Sequence, residues 1–254
     1  MKKIDQIIKS FLLFYTCLYS SLVWSQTYIS VEAAQTFQSK NDQRIPGNSG
    51  DLISLTDFAK GPFLTNRIYF GHKWDERHEI RALYAPLELE LNSEFKAPVR
   101  FMNSTFAANT VTSALYKFNS YRLTYAYYLE PQGDWKWAVG FTGKIRDAEV
   151  RLQQGALKES KTNIGFVPLA HVRAMRLFAQ DWKFELDFDG LAAPQGRAID
   201  LGLFVSRSWN NDKSKIYFGY RTVEGGADND EVYNFAWIHS ATIGFTYRFD
   251  ERSQ

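Results

Sequence analysis

Along residues 181–190, DWKFELDFDG, apolar and charged positions alternate without a break. Trp182, Phe184, Leu186 and Phe188 take one parity; Lys183, Glu185, Asp187 and Asp189 take the other. A period of two belongs to an extended strand whose faces meet different surroundings. Similar stretches recur along the chain, bounded by clusters of Gly, Pro, Asn and Asp. They predict ten strands near 27–37, 65–74, 77–89, 114–130, 134–147, 161–178, 181–190, 197–209, 213–223 and 233–249. In the last of these, Phe235, Trp237, Ala241, Ile243, Phe245, Tyr247 and Phe249 share a parity, against Asn234, Ser240, Thr242, Gly244, Thr246 and Arg248. Strand 134–147 sets Trp135, Trp137, Val139, Phe141 and Ile145 against Lys136, Thr142, Lys144 and Arg146.

The connections decide which face is inside. Short ones near 74–78, 130–134, 179–180 and 210–213 alternate with longer ones at 38–64, 90–113, 148–160, 191–197 and 224–232. Every short turn then falls at the end that holds both termini. An outer-membrane barrel sorts its connections in this way, with an even strand count, whereas a soluble sandwich has no reason to. Closure also satisfies every backbone N–H and C=O within hydrocarbon. The fold expected is therefore all-β: a transmembrane, antiparallel up-and-down β-barrel of ten strands, or of eight if 38–113 is irregular. The aromatics face lipid and the charges face the lumen. A secreted lipocalin-like barrel, apolar inside and charged outside, is the competing arrangement.

Composition narrows the compartment. The start, MKKIDQIIKSFLLFYTCLYSSLVWSQ, has a basic head, an apolar run from Phe11 to Trp24, and Val23 and Ser25 at cleavage positions −3 and −1, which reads as a secretory signal over 1–25. The barrel domain is then 26–254. Removal of the signal takes away Cys17, the chain's one cysteine, and with it any disulfide or thiolate chemistry. Taking Lys2, Lys3, Lys9 and Asp5 from 30 basic and 28 acidic residues leaves 27 of each, a balance that argues against a nucleic-acid partner. Past the signal no apolar run approaches the about 18 residues of a spanning helix.

Five segments carry a resemblance: YKFNSYRLTYAYYL (116–129), GFTGKIRDAEV (140–150), KTNIGFVPLAH (161–171), LAAPQGRA (191–198) and EGGADNDEVYNFAW (224–237). Together they resemble an uncharacterised family of Gram-negative outer-membrane β-barrel proteins, over roughly residues 114–249. The likeness implies the outer membrane after export, but no activity. Outer-membrane lipid, lipopolysaccharide and the barrel-assembly machinery are the partners expected of such a chain, and no cofactor is expected.

Four histidines bound the acid–base chemistry. His239-Ser240 resembles the His and Ser of lipid A deacylases and outer-membrane phospholipases, but adjacent strand residues point to opposite faces. His171 shares the inward parity with Arg173. A tight turn pairing Phe178 with Trp182 would set His171 opposite Asp189 and Arg173 opposite Asp187. His171 and Asp189 are thus the candidate catalytic pair, with an omptin-like protease in view, although no Asp-x-His element is present. The preferred reading is a lumenal charge network: acids Glu185, Asp187, Asp189 and Asp200, flanked by bases Arg122, Lys144, Arg146, Arg173 and Arg221, either plugging the barrel or setting a transverse field in a narrow pore. Glu224, Asp228, Asp230 and Glu231 could offer oxygen ligands to a loop cation, without the spacing of a dedicated calcium loop. The leading functional expectation is a non-enzymatic envelope barrel or narrow solute pore. The competing one is a lipid hydrolase or protease at the outer mouth.

Overall fold

A computed structural model describes residues 25–179, 181–194 and 196–249. Apart from Ser25, the expected signal lies outside the described residues. Ten long strands follow in order: β1 (Gln26–Arg44), β2 (Phe63–Trp74), β3 (His78–Ala85, resumed as Glu88–Glu94), β4 (Val111–Tyr128), β5 (Trp135–Gln154), β6 (Leu157–Ala179), β7 (Trp182–Ala193), β8 (Gly196–Trp209), β9 (Ser214–Asp228) and β10 (Tyr233–Arg248). Each pairs antiparallel with the next, and β10 closes on β1 from Tyr28↔Arg248 to Arg44↔Tyr233. The molecule is a closed ten-stranded up-and-down β-barrel of the transmembrane kind, and the eight-stranded alternative does not hold. Residues 38–113 are structured: β1 runs on to Arg44, β3 resumes at Glu88, and a small hairpin pairs Val99–Phe101 with Ser104–Phe106.

Alternation along each strand turns the apolar set outward. Val31, Ile68, Phe70, Leu123, Phe141 and Ile243 stand exposed on the outer wall. Aromatics rim this band at both levels. Trp135 and Trp137 stack at 5.5 Å towards the end that holds the termini, and Tyr84 and Tyr121 stack at 5.2 Å near the other. Above Ile145 the outer face of β5 changes to Asp147, Glu149 and Arg151, and Lys117 on β4 pairs with Asp147 at 2.8 Å. The wall is thus apolar for a bilayer's depth and polar beyond it.

Three of the five long connections dissolve into strand. The expected loop 148–160 is a hairpin extension in which β5 and β6 stay paired up to Gln154↔Leu157. Within LAAPQGR the strands reach Ala193 and resume at Gly196, and of the expected connection 224–232 the stretch 224–228 belongs to β9. The glycines of EGGADNDE misled because they do not mark a turn. A Cβ at Gly226 would lie 2.0 Å from the Asn234 carbonyl and 2.4 Å from the Phe235 ring, so glycine there permits close pairing of β9 with β10.

The outer end is capped from within. Ile45, Ile53 and Leu55 of the 45–62 connection pack with Phe95, Phe101 and Phe106 of the 95–110 connection. Both sets meet inward residues of the extended strands, among them Leu89, Leu91, Val150, Leu152 and Ile238. Leu55, Phe101, Phe106 and Leu152 are wholly buried. A small apolar core of the soluble kind therefore fills the barrel mouth.

Candidate functional site

Beneath that cap the lumen holds charge. Asp200 on β8 meets three arginines: it accepts from Arg221 Nη1 on β9 at 2.6 Å and from Arg67 Nη2 on β2 at 2.9 Å, and it forms an ion pair with Arg122 Nη2 on β4 at 2.7 Å. Asp189 on β7 accepts from Arg122 Nη1 at 2.9 Å and from the Thr142 hydroxyl at 2.7 Å. Asp187 takes a bidentate pair of bonds from Arg81 on β3, both at 3.1 Å. Glu79 on β3 accepts from Arg173 on β6 at 3.0 Å and from the hydroxyls of Tyr28 and Tyr128 at 2.8 and 2.6 Å. Glu32 on β1 accepts from Arg221 Nη2 at 3.3 Å and from Tyr217 at 3.2 Å.

Five guanidinium groups and five carboxylates thus meet in a charge-balanced lattice. Arg221 pairs with Asp200 on the neighbouring strand, but other ion pairs of the lattice join strands three or four apart around a ring of ten, from β2 and β4 to β8, from β3 to β7, and from β3 to β6. Bonds of that reach span the bore instead of lining it. Gly202 makes room for one corner: a Cβ there would come 3.1 Å from Arg221 Cζ and 2.4 Å from the Phe204 ring. Below the lattice, towards the termini, lies a cavity of about 310 Å3 bordered by Tyr28, Lys73, Lys183, Glu185, Lys215 and Arg248. Above it a void of about 70 Å3 separates the lattice from the cap.

The residues singled out in the sequence fall as follows. Arg122, Arg173, Asp187, Asp189, Asp200 and Arg221 belong to the lattice. Glu185 lies below it, held by Lys215 Nζ at 2.8 Å and by the Ser206 hydroxyl. Lys144 is buried, with its ammonium 4.6 Å from the Phe118 ring centroid. Arg146 sits higher, bonded to Asn163. The transverse field is corrected, because Glu32 and Glu79 place acids on the far side of the bore and the signs interleave. These two, with Arg67 and Arg81, were missed in sequence, though their inward parity beside Ile68, Ile80 and Tyr84 was a usable signal.

His171 meets Asp189 as the register argument required, with Nδ1 2.8 Å from Oδ1, although Trp182 pairs with Ala179 across a bulge and not with Phe178. An ionised carboxylate only accepts, so Nδ1 carries the hydrogen. With His171 1% and Asp189 5% exposed in the middle of the lattice, the pair has no face for a substrate. The loop acids do not converge: Glu224 bonds Arg197 and Glu231 pairs with Lys161 at 3.3 Å. Among the described residues no three His, Cys, Asp or Glu side chains gather as a metal site. His239 and Ser240 diverge, Ser240 bonding Thr36 in the lumen at 2.9 Å while His239 stands on the outer wall.

Fold and lumen together define a ten-stranded transmembrane barrel with a bridged interior. No family model and no curated protein matches the chain. Among solved structures it is similar to the outer membrane protease OmpT from Escherichia coli, at 8% identity and TM-score 0.53, over 88% of this chain and 97% of that one. Looser likenesses are to Neisserial surface protein A, with 14% identity, TM-score 0.37 and coverages of 89% and 99%, and to the COG4313 outer membrane channel from Pseudomonas putida F1, with 8%, 0.40, 88% and 96%. These neighbours are outer-membrane β-barrel proteins, and the likeness to OmpT establishes a shared fold.

Proposed function

We propose that this protein is a sealed barrel of the Gram-negative outer membrane, exported to the periplasm and inserted by the barrel-assembly machinery. It works through its wall and outer rim and passes no solute. The observation that carries the reading is the grip on Asp200 by Arg67 from β2 and Arg122 from β4, which ties opposite walls across the bore. The apolar cap above it supports the same reading, since water and ions would have to cross two unlike seals in series. The apolar band with its aromatic rims, and the fold shared with OmpT, support the compartment. In the resting barrel, lipid and lipopolysaccharide contact the wall, and the lattice and cap hold its shape.

Solute efflux tests this directly. Protein refolded into phosphatidylcholine vesicles loaded with potassium chloride and glucose is expected to leave release at the rate of protein-free vesicles. Release that rises in proportion to folded protein would overturn the reading.

A further inference from the structure

One bulge breaks the regularity of β1 on the outer wall. Gln38 pairs with Ile238 and Lys40 with Trp237, so Ser39 is an extra residue between them. Gln38 and Asn41 are buried inside, which leaves Ser39 and Lys40 both turned outward. There Ser39 Oγ lies 2.8 Å from Nε2 of His239 on β10. The other ring nitrogen, Nδ1, lies 2.5 Å from the hydroxyl of Tyr220 on β9 and 3.5 Å from Thr222 Oγ1. Trp237 packs against the imidazole at 5.1 Å, and its indole N–H donates to Thr222 at 2.8 Å. Three neighbouring strands thus place a hydroxyl, an imidazole and an orienting group in a line, the arrangement that activates a serine.

The height of this array is informative. From Tyr247 up to His239 on β10 the outward positions span eight residues, which at about 3.3 Å each and about 40° of tilt is about 20 Å of a roughly 25 Å band. The array therefore sits where the band ends, the level at which lipid acyl esters lie between tails and headgroups. Lys40 brings a cation to the same rim, 3.6 Å from Asp42 and 5.6 Å from the Phe235 ring centroid.

We propose that Ser39, His239 and Tyr220 form a serine acyl-ester hydrolase site on the lipid-facing wall, whose substrate is the acyl ester of a lipid in the surrounding leaflet. The proposal rests on the membrane placement above and not on the sealed lumen. With Nδ1–H donating to Tyr220, Nε2 accepts the Ser39 proton as Oγ bonds to the ester carbonyl carbon. Collapse of the adduct breaks the carbon–oxygen bond to the alcohol, which leaves with the proton from Nε2. Water, deprotonated by Nε2, then cleaves the acyl-serine to free fatty acid and restores Ser39. The Trp237 carbonyl, 3.3 Å from Oγ, offers the Ser39 hydroxyl a second acceptor in the resting site. Ser39 and His239 are the catalytic residues and Tyr220 is a positioning residue.

The test uses full-length protein refolded in micelles, with folding checked by heat-modifiable gel mobility. A lipophilic fluorophosphonate is expected to label Ser39. The label should vanish in Ser39→Ala, fall about 100-fold or more in His239→Ala and persist in Ser240→Ala, whose hydroxyl faces the lumen. Fatty acid release from phosphatidylethanolamine–phosphatidylglycerol vesicles would assign a glycerolipid substrate, and release from lipopolysaccharide would assign its ester-linked chains. Tyr220→Phe should lower kcat about 10-fold at unchanged KM and displace the limb of the pH profile set by His239, which a merely structural tyrosine would not do. A folded wild type that is not labelled at Ser39 and releases no more acid than Ser39→Ala from either lipid overturns the proposal. Solute efflux measured with Ser39→Ala, which cannot hydrolyse the vesicle lipid, reports on the lumen alone, so either reading can fail without the other.

Discussion

Asp200 shows how a buried charge can be both a cost and a constraint. Three guanidinium groups converge on one carboxylate in a space with little water, and their mutual repulsion is offset only while that carboxylate is ionised. Asp200→Asn keeps the shape and removes the charge. It is expected to destabilise the barrel by about 3–5 kcal/mol in urea unfolding from vesicles, because buried positive charge is left uncompensated. Glu224→Gln, at the rim and paired with a half-exposed Arg197, should change the same measurement little. The inward parity of Asp187, Asp189 and Asp200 was legible, since each sits in a clean run of alternation. Glu32, Arg67, Glu79 and Arg81 lie where alternation is ragged, and their partners are brought in by closure of the sheet, which no local pattern records. Ser39 was invisible for a related reason: its partner is 200 residues away, and a bulge puts it on the outer face at the right height.

At the scale of the element, strand number and most centres were legible, but strand length was not. Alternation reports a boundary between two media, and where β5 and β6 leave the bilayer its sense inverts, polar outside at Asp147, Glu149 and Arg151 and apolar inside at Val150 and Leu152, although pairing continues to Gln154↔Leu157. That difference predicts a depth effect. Phe141→Arg, on a side chain 63% exposed in the apolar band, should cost about 2–4 kcal/mol of unfolding free energy in vesicles. Val111→Arg, equally exposed at the outer end of β4, should cost about 0–1. Equal costs would mean that the band has been placed wrongly. The cap makes a separate prediction. Phe101 is wholly buried and meets Phe106 edge-on at 6.3 Å, so Phe101→Ala should loosen the 95–110 connection. Limited proteolysis should then cut within it in the variant and spare it in wild type.

For the whole molecule, closure explains why the interior can be so heavily charged. A ten-stranded barrel has no edge to protect and too narrow a bore for an open aqueous channel, so side chains fill it. Here they fill it with two kinds of material: a lattice of five arginines and five carboxylates, and above it an apolar core built from two loops. The loop-length asymmetry that pointed to this architecture survives at 45–62 and 95–110, the connections that supply the cap, while the other outer connections are tight hairpins. Function follows from where open chemistry remains, which is the wall and the rim. Whether the bore is shut is decided by single-channel recording in a planar bilayer. Folded wild-type protein is predicted to give no discrete conductance steps. Steps in wild type, with an ion selectivity that shifts in Asp187→Asn/Asp200→Asn, would show those acids lining an open path and would contradict the account.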